Sequence, residues 1–487
     1  MSDKTLIKKG ISGMAWMTGS TIMAYIIQLI ITAILARYLS PSDYGEVAAI
    51  NILIGLAEIF WMLGIGPAIV QKQNLTNEDI YTGNTINIIF GSTIYIIIYI
   101  FADVLCKLFN IESSFMLRIF SLVFIMNSIS GVSKSLVQKK CDYKNMAAIK
   151  IVGIVIYGVT AMIFVFNGIN VWALVLGTIA QTLYTTIAYF IVAPIRLKFM
   201  IKKESAKALM YFGGGFTIAR IFNYIANNGD TYCVNKILDK TALGFYSKAY
   251  QLLMYPTSLI GDSLDQVCFP LLSKKQDDTE WLHKVFLGCT IVVFSVSIPI
   301  SIFCYSCADG IVNFIYGSKW NNTVMPFKIF ISGLFFRIGY KISDSLVRAL
   351  GKVYKRSFYQ IIYAALIVIG SITGSFKGIS GVAIGVTIAF TVNYILMTNL
   401  SLKLLNATWR NLIKNLIFPS VCGILCTICI FFLKMLTSGI NQIIEMIVIG
   451  FASVVFYTIP FVIFKKDSVN YVINLLKTTL INRRQVK

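Results

Sequence analysis

About fourteen apolar stretches, each long enough to cross a bilayer, follow one another from end to end of this chain. The polar gaps between them are too short to fold alone. That confines the chain to an all-α, polytopic membrane protein. Barrel strands are excluded, because they span with about ten alternating residues and these runs are longer and unbroken. Charged residues make up only 13% of the chain, against about a quarter in a soluble domain. A protein with almost nothing outside the membrane must act within it. That favours moving a molecule across over making or breaking bonds, so the expectation is a transporter and not an enzyme.

The net charge of +22 raises the question of nucleic acid, and its distribution answers it. With the N-terminus in the cytoplasm, one side collects Lys8, Lys9, Lys139, Lys140, Lys144, Arg196, Lys198, Lys202, Lys203, Lys207, Arg348, Lys352, Lys355, Arg356 and the basic tail. The other side receives few cations, among them Arg37, Lys236, Lys240 and Lys328. This is the positive-inside pattern, which places a multi-pass protein in the cell (plasma or inner) membrane with both termini cytoplasmic. Membrane lipids are therefore expected partners and nucleic acid is not. The first apolar stretch is too long for a cleavable signal. A single histidine, His283, cannot build a histidine metal site. The ten cysteines sit mostly within spans and read as small apolar residues, the CxxC spacing of Cys304 and Cys307 included.

A weak internal repeat sets the domain organisation. Arg37-Tyr-Leu-Ser-Pro-Ser-Asp-Tyr-Gly45 joins the first two spans, and Lys236-Ile-Leu-Asp-Lys-Thr-Ala-Leu-Gly244 joins the seventh and eighth with the same cation-to-glycine spacing. Ser135-Leu136-Val137 recurs as Ser345-Leu346-Val347, and Gly168-Ile169 as Gly378-Ile379. The offset stays near six spans, an even number, so the repeat is parallel. Residues 1–195 are read as an N-lobe of spans one to six, 196–208 as a cytoplasmic linker, and 209–405 as a C-lobe of spans seven to twelve. Residues 406–466 supply spans thirteen and fourteen, and 467–487 an amphipathic cytoplasmic tail.

Charges inside spans cost several kcal/mol and mark functional candidates. Arg220 falls mid-way along span seven (209–233) and Arg337 mid-way along span ten (324–347). Lys341, Asp344 and Arg348 follow Arg337 at i+4, i+7 and i+11, on one helical face. Span eight (243–270) carries Lys248, Asp262 and Asp265, span two Glu58, and span one Gln28. These residues either pair with one another and fasten helices together, or line a water-filled, cationic cavity between the lobes. Guanidinium groups bind phosphate oxygens bidentately, which makes Arg220, Arg337 and Lys341 candidates for a phosphate-bearing cargo. Glu58, Lys248, Asp262, Asp265, Asp344 and Gln28 are candidates for the cavity wall or for ion coupling. No P-loop or GxSxG occurs.

The chain resembles the polysaccharide (oligosaccharide) flippases, of the lipopolysaccharide and exopolysaccharide transporter type, within the multidrug/oligosaccharidyl-lipid/polysaccharide flippase superfamily. The likeness rests on Leu35-Ala36-Arg37-Tyr38-Leu39-Ser40-Pro41, on Asp43-Tyr44-Gly45, and on Gly64-Ile65-Gly66-Pro67-Ala68. It continues in Leu243-Gly244-Phe245-Tyr246-Ser247 and in Phe269-Pro270-Leu271-Leu272-Ser273. The resemblance implies a V-shaped, two-lobed, alternating-access transporter. It implies an undecaprenyl-diphosphate-linked oligosaccharide as cargo, carried to the outer leaflet for cell-surface polysaccharide biosynthesis. The same pathway's polymerase and glycosyltransferases would be neighbours, and the protein is expected to act as a monomer. No cofactor is implied, although H+, Na+ or membrane potential would have to drive turnover.

Two other functions compete. A multidrug and toxin extruder prefers cationic drugs and should have an acidic cavity, which Arg220, Arg337 and Lys341 oppose. A membrane glycan polymerase or ligase is expected to carry a large outward catalytic loop, and the outward gaps here are short.

Overall fold

The computed structural model describes residues 3–464, apart from 63–64, 73, 197, 275 and 438. Within its helices the side chains of residues 3–18, 61–62, 208–220, 263, 266–267, 270–271, 274, 353 and 461–464 lie outside the description. The amphipathic tail expected over 467–487, the side chain of Arg220 and that of Pro270 fall among these undescribed parts. The described residues form helices and no strands.

Residues 1–247 form one compact unit and 248–487 a second. The first contains α1 (Asp3–Tyr38), α2 (Pro41–Met62), α3 (Ile65–Gln71), α4 (Asn77–Ile100), α5 (Ala102–Phe109), α6 (Ser114–Phe120), α7 (Leu122–Lys139), α8 (Tyr143–Phe166), α9 (Asn170–Val192) and α10 (Lys203–Ile237). It also holds the start of α11 (Lys240–Lys274). α8 packs between α1 and α9, α7 against α3, α4 and α9, and α10 against α2, α3 and α4. An apolar core of Ile65, Ala68, Ile69, Ile86, Val132 and Ile195 joins α3, α4 and α7. Lys139 at the end of α7 donates to the carbonyls of Ile69 and Val70 at 3.1 Å, and to that of Lys72. A cation there satisfies the orphan carbonyls at the C-terminus of α3. Gly66 fits tightly against Ser135 of α7, its missing Cβ standing 3.0 Å from the hydroxyl.

The segment between α9 and α10 is tied to the start of α4. The amide of Met200 donates to Thr85 Oγ1, and that of Lys202 to Thr82 Oγ1, both at 3.1 Å. The Lys202 ammonium bonds the Glu78 carboxylate, which holds its pKa above the ordinary lysine value.

The second unit holds most of α11, then α12 (Thr279–Ser306), α13 (Ala308–Tyr316), α14 (Val324–Ser332), α15 (Leu334–Ala349), α16 (Val353–Ser375), α17 (Gly378–Leu404), α18 (Trp409–Leu436) and α19 (Gln442–Phe464). α17 packs on α14, α15 and α16, while α18 and α19 pack on each other and on α12. Gly381 and Gly385 of α17, four residues apart, meet Gly374 and Gly370 of α16. Backbones touch there, and any side chain would overlap a carbonyl. The succession of one long helix, two short ones and a longer one (α4 to α7) recurs as α12 to α15, about two hundred residues later.

Among the described residues ten helices are long and apolar enough to cross a membrane, and eleven if the bent α2–α3 pair counts as one span. Expected spans seven, eight and ten are helical as α10, α11 and α14–α15, but they do not join that set. α15 is only sixteen residues long, too short to cross by itself, and it carries Arg337, Lys341, Asp344 and Arg348. Length and composition alone therefore return ten or eleven crossings where the sequence reading expected fourteen.

Candidate functional site

The charged helix α15 begins at Leu334, after Gly333 breaks it from α14. Its strongly two-sided pattern buries Phe335, Ile338, Ile342 and Leu346 against neighbouring helices. Arg337 lies on the same buried side and is 4% exposed. Its Nη1 donates to the Tyr363 hydroxyl of α16 at 2.8 Å, and its Nη2 to that of Tyr250 of α11 at 3.2 Å. The guanidinium carbon sits 4.7 Å from the Phe390 ring centre of α17 and 5.7 Å from that of Tyr340. A planar cation with five donors suits this cage of hydroxyls and ring faces, and lysine would not. Arg337 thus links α11, α15, α16 and α17, and it is closed to solvent in this structure.

One turn further along α15, Lys341 places its Nζ 2.6 Å from Asp262 Oδ1 of α11. Its methylenes cross Gly261, where a Cβ would meet Lys341 Cδ at 2.8 Å. The pair is open on one side: the Asp262 side chain is 49% exposed and that of Lys341 18%. Next along the face, Arg348 bonds Asp265 and also places its Nε 2.9 Å from Asp344 Oδ2. Arg356 of α16 bonds the same Asp344 carboxylate, and Ser345 donates to Asp265. The structure therefore brings Arg337, Lys341, Asp344, Asp262 and Asp265 together on two helices of one unit, α11 and α15. Lys341 is more accessible than Arg337, while Arg348 and Arg356 in the same row are more exposed still.

The remaining candidates lie apart from this row. Lys248 is 6% exposed, near the start of α11. It donates to Gln251 Oε1 at 3.1 Å and stands 5.9 Å from the Tyr316 ring centre. Gln28 on α1 and Glu58 on α2 are half-buried. Arg220 is a residue of α10, and its side chain lies outside the described part. Arg37 is exposed at the last turn of α1. Pro67 follows Gly66 in α3.

The repeated motif has a local explanation. Ser40 Oγ accepts from the Asp43 amide at 3.2 Å, and the Asp43 carboxylate accepts from the Ser40 amide at 2.8 Å. That is a capping box, with Pro41 in the first helical position where a missing N–H costs nothing. At the equivalent place in the repeat, Asp239 Oδ1 accepts from the Ala242 amide at 2.6 Å and caps α11.

Tyr363, Phe390, Arg356 and Gly261 belong to the charged row or its support; the sequence marked Arg356 only as a cytoplasmic-side cation and did not single out the other three. Their partners are remote in sequence, so no local spacing exposes them. Tyr250 was visible only as one aromatic among many.

Residues 34–325 match the family described as "Polysaccharide biosynthesis protein". The chain is 24% identical over 428 residues to the lipopolysaccharide biosynthesis protein WzxC of Escherichia coli (strain K12), covering 85% of each chain. It is 23% identical over 431 residues to the teichuronic acid biosynthesis protein TuaB of Bacillus subtilis (strain 168), covering 86% of this chain and 89% of that one. Its fold is similar to that of the lipid II flippase MurJ in an inward closed conformation. The TM-score is 0.77 at 16% identity, over 92% of this chain and 98% of the other.

Proposed function

The chain belongs to the polysaccharide biosynthesis protein family, and from that membership we propose that it is a flippase. Its cargo is an undecaprenyl-diphosphate-linked oligosaccharide, moved from the cytoplasmic to the outer leaflet to feed cell-surface polysaccharide synthesis. The observation that carries this reading is the family match over residues 34–325, in a chain whose helices suit a multi-pass membrane protein. The physical task fits such a molecule. A diphosphate and its sugars cannot enter hydrocarbon unaided, whereas a prenyl tail can remain in it. A row of cations within the bilayer supplies what the headgroup needs, and no bond has to be made or broken.

Within that reading Lys341 is the direct contact for the diphosphate. Asp262 holds its ammonium in place until the cargo's phosphate oxygens take over. Arg337 fixes the helices that carry the row, and Arg220 of α10 stays a separate candidate for contact with phosphate. Asp265, Asp344, Glu58 and Lys248 are candidates for coupling to H+, Na+ or membrane potential. Both termini are placed in the cytoplasm by the charge asymmetry.

Deletion of the gene, followed by complementation, tests the proposal. Loss of surface glycan with accumulation of the lipid-linked oligosaccharide, restored by the wild-type chain, is the expected result. Normal surface glycan in the deletion strain, with no accumulated intermediate, would refute it.

A further inference from the structure

Two cysteine thiols meet beside the charged row. Cys268 of α11 and Cys289 of α12 stand with their sulfurs 3.4 Å apart. Among the described residues no other two cysteines bond each other: Cys426 turns to the Ser453 carbonyl and Cys141 to that of Lys139. Cys268 is 3% exposed, whereas Cys289 is half-buried. The charge asymmetry puts Lys274, Lys275 and Lys284, which flank the turn between these helices, on the cytoplasmic side.

We propose that this pair is a dithiol site which a low-molecular-weight disulfide oxidises, and that the resulting Cys268–Cys289 disulfide arrests transport. The site itself stands on the thiol contact; its effect on transport rests on the flippase reading.

The chemistry asks little of the fold. A disulfide bond is about 2 Å long, and sulfurs already in contact approach that distance by side-chain rotation. Cys289, the more exposed thiol, loses its proton and attacks the small disulfide. A mixed disulfide forms, and one small thiolate leaves and takes up a proton. Cys268 then loses its own proton, attacks the Cys289 sulfur and expels the second small thiolate. Two protein thiols are oxidised and one small disulfide is reduced to two thiols. Burial suits Cys268 to the second role, since it is screened from the oxidant and already lies against its partner. In a reducing cytoplasm the pair rests as thiols, and a rise in oxidised small thiols closes it.

The position of the bond accounts for the arrest. On α11, Cys268 follows Asp265 by three residues and Asp262 by six. The neighbouring Phe269 ring centre lies 4.8 Å from the guanidinium carbon of Arg348. α11 is tied to α15 through Lys341, Ser345 and Arg348, and α12 packs on α15 directly. The hydrogen bonds between α11 and α15 exchange with water or phosphate at small net cost. A covalent bridge from α11 to α12 does not exchange. It holds the carboxylates of α11 against the cations of α15, where Asp262 has to release Lys341 to the cargo.

The test uses the full-length wild-type protein in proteoliposomes containing a polyprenyl-diphosphate oligosaccharide, with glutathione disulfide on both sides. Mass spectrometry of the digested protein should find the Cys268 peptide linked to the Cys289 peptide. Cys304 and Cys307 share the tryptic fragment of Cys289, so the link must vanish in Cys289→Ala protein. Flipping should fall at least tenfold on oxidation and return with dithiothreitol. Cys268→Ala and Cys289→Ala proteins should flip at the wild-type rate and ignore the oxidant. The exposed Cys141 reports that the oxidant has reached the protein. Modification of Cys141 with no link between Cys268 and Cys289 would overturn the site and leave two thiols that merely fill space. A linked protein that flips at the reduced rate would overturn the arrest. Failure of the reduced wild-type protein to flip would overturn the flippase reading instead, and the linked peptide would still decide the site.

Discussion

Lys341 on α15 reaches across Gly261 to hold its ammonium 2.6 Å from the Asp262 carboxylate on α11. An exposed ion pair of this kind contributes little to stability, with a median of about 0–1 kcal/mol. The sequence reading puts Lys341 in span ten and Asp262 in span eight, where a charge calls for another reason to be kept. As a phosphate contact, Lys341 is worth about 1.5–3 kcal/mol, so Lys341→Ala should weaken headgroup binding by roughly ten- to a hundredfold. Asp262→Asn should retain transport, and the double variant Lys341→Ala/Asp262→Asn should stay as impaired as Lys341→Ala. Surface glycan complementation, with protein level checked in the membrane, decides this. Recovery in the double variant would reduce Lys341 to a helix fastener.

Arg337 should behave as a structural residue. Tyr363→Phe removes one bond to a charged donor and should destabilise by about 1.5–3 kcal/mol. Arg337→Lys keeps the charge but loses the fork and the stacking on Phe390, and should lower the detergent unfolding temperature more than Tyr363→Phe does. Arg337→Lys unfolding at the wild-type temperature would contradict the cage.

Asp344 accepts from both Arg348 and Arg356, so its loss leaves Arg348 with Asp265 and takes from Arg356 the carboxylate it bonds. Asp344→Ala is expected to cost about 3–5 kcal/mol, as when one member of a buried pair is removed. Arg356→Ala leaves Asp344 with Arg348 and should cost clearly less. Thermal unfolding of the two variants in the same detergent gives the order. Equal losses would show that the two arginines do not share the carboxylate.

Much of the fold was legible because burial in lipid leaves a plain record: apolar runs of the right length mark helices whatever their neighbours are. Spans seven, eight and ten were read as crossings, yet among the described residues their helices do not join the crossing set; span ten is broken at Gly333 into two short helices, the second of them charged. The motif around Ser40, Pro41 and Asp43 was read only as a repeat and a family signature, and the structure adds that it is a capping box within four residues. The partners of Arg337 were not. Tyr250, Tyr363 and Phe390 come from three other helices, and no sequence spacing links them to residue 337. The i+4 and i+7 spacings gave Lys341 and Asp344 a common face with Arg337, but could not say which carboxylate each cation would meet.

The charge asymmetry predicts that residue 202 faces the cytoplasm and residue 239 the outside. In intact cells, with native thiols removed, an impermeant maleimide should label a Asp239→Cys protein and spare a Lys202→Cys protein. The reverse labelling would invert the topology.

Flipping itself is the claim on which the rest depends. Purified protein reconstituted into vesicles with a polyprenyl-diphosphate oligosaccharide, probed by an impermeant glycosidase, measures it directly. Cargo in the inner leaflet of wild-type vesicles should become accessible at least tenfold faster than in protein-free vesicles, and Lys341→Ala vesicles should fall most of the way back. Equal accessibility in wild-type and protein-free vesicles, under an imposed ion gradient or membrane potential, would contradict the account.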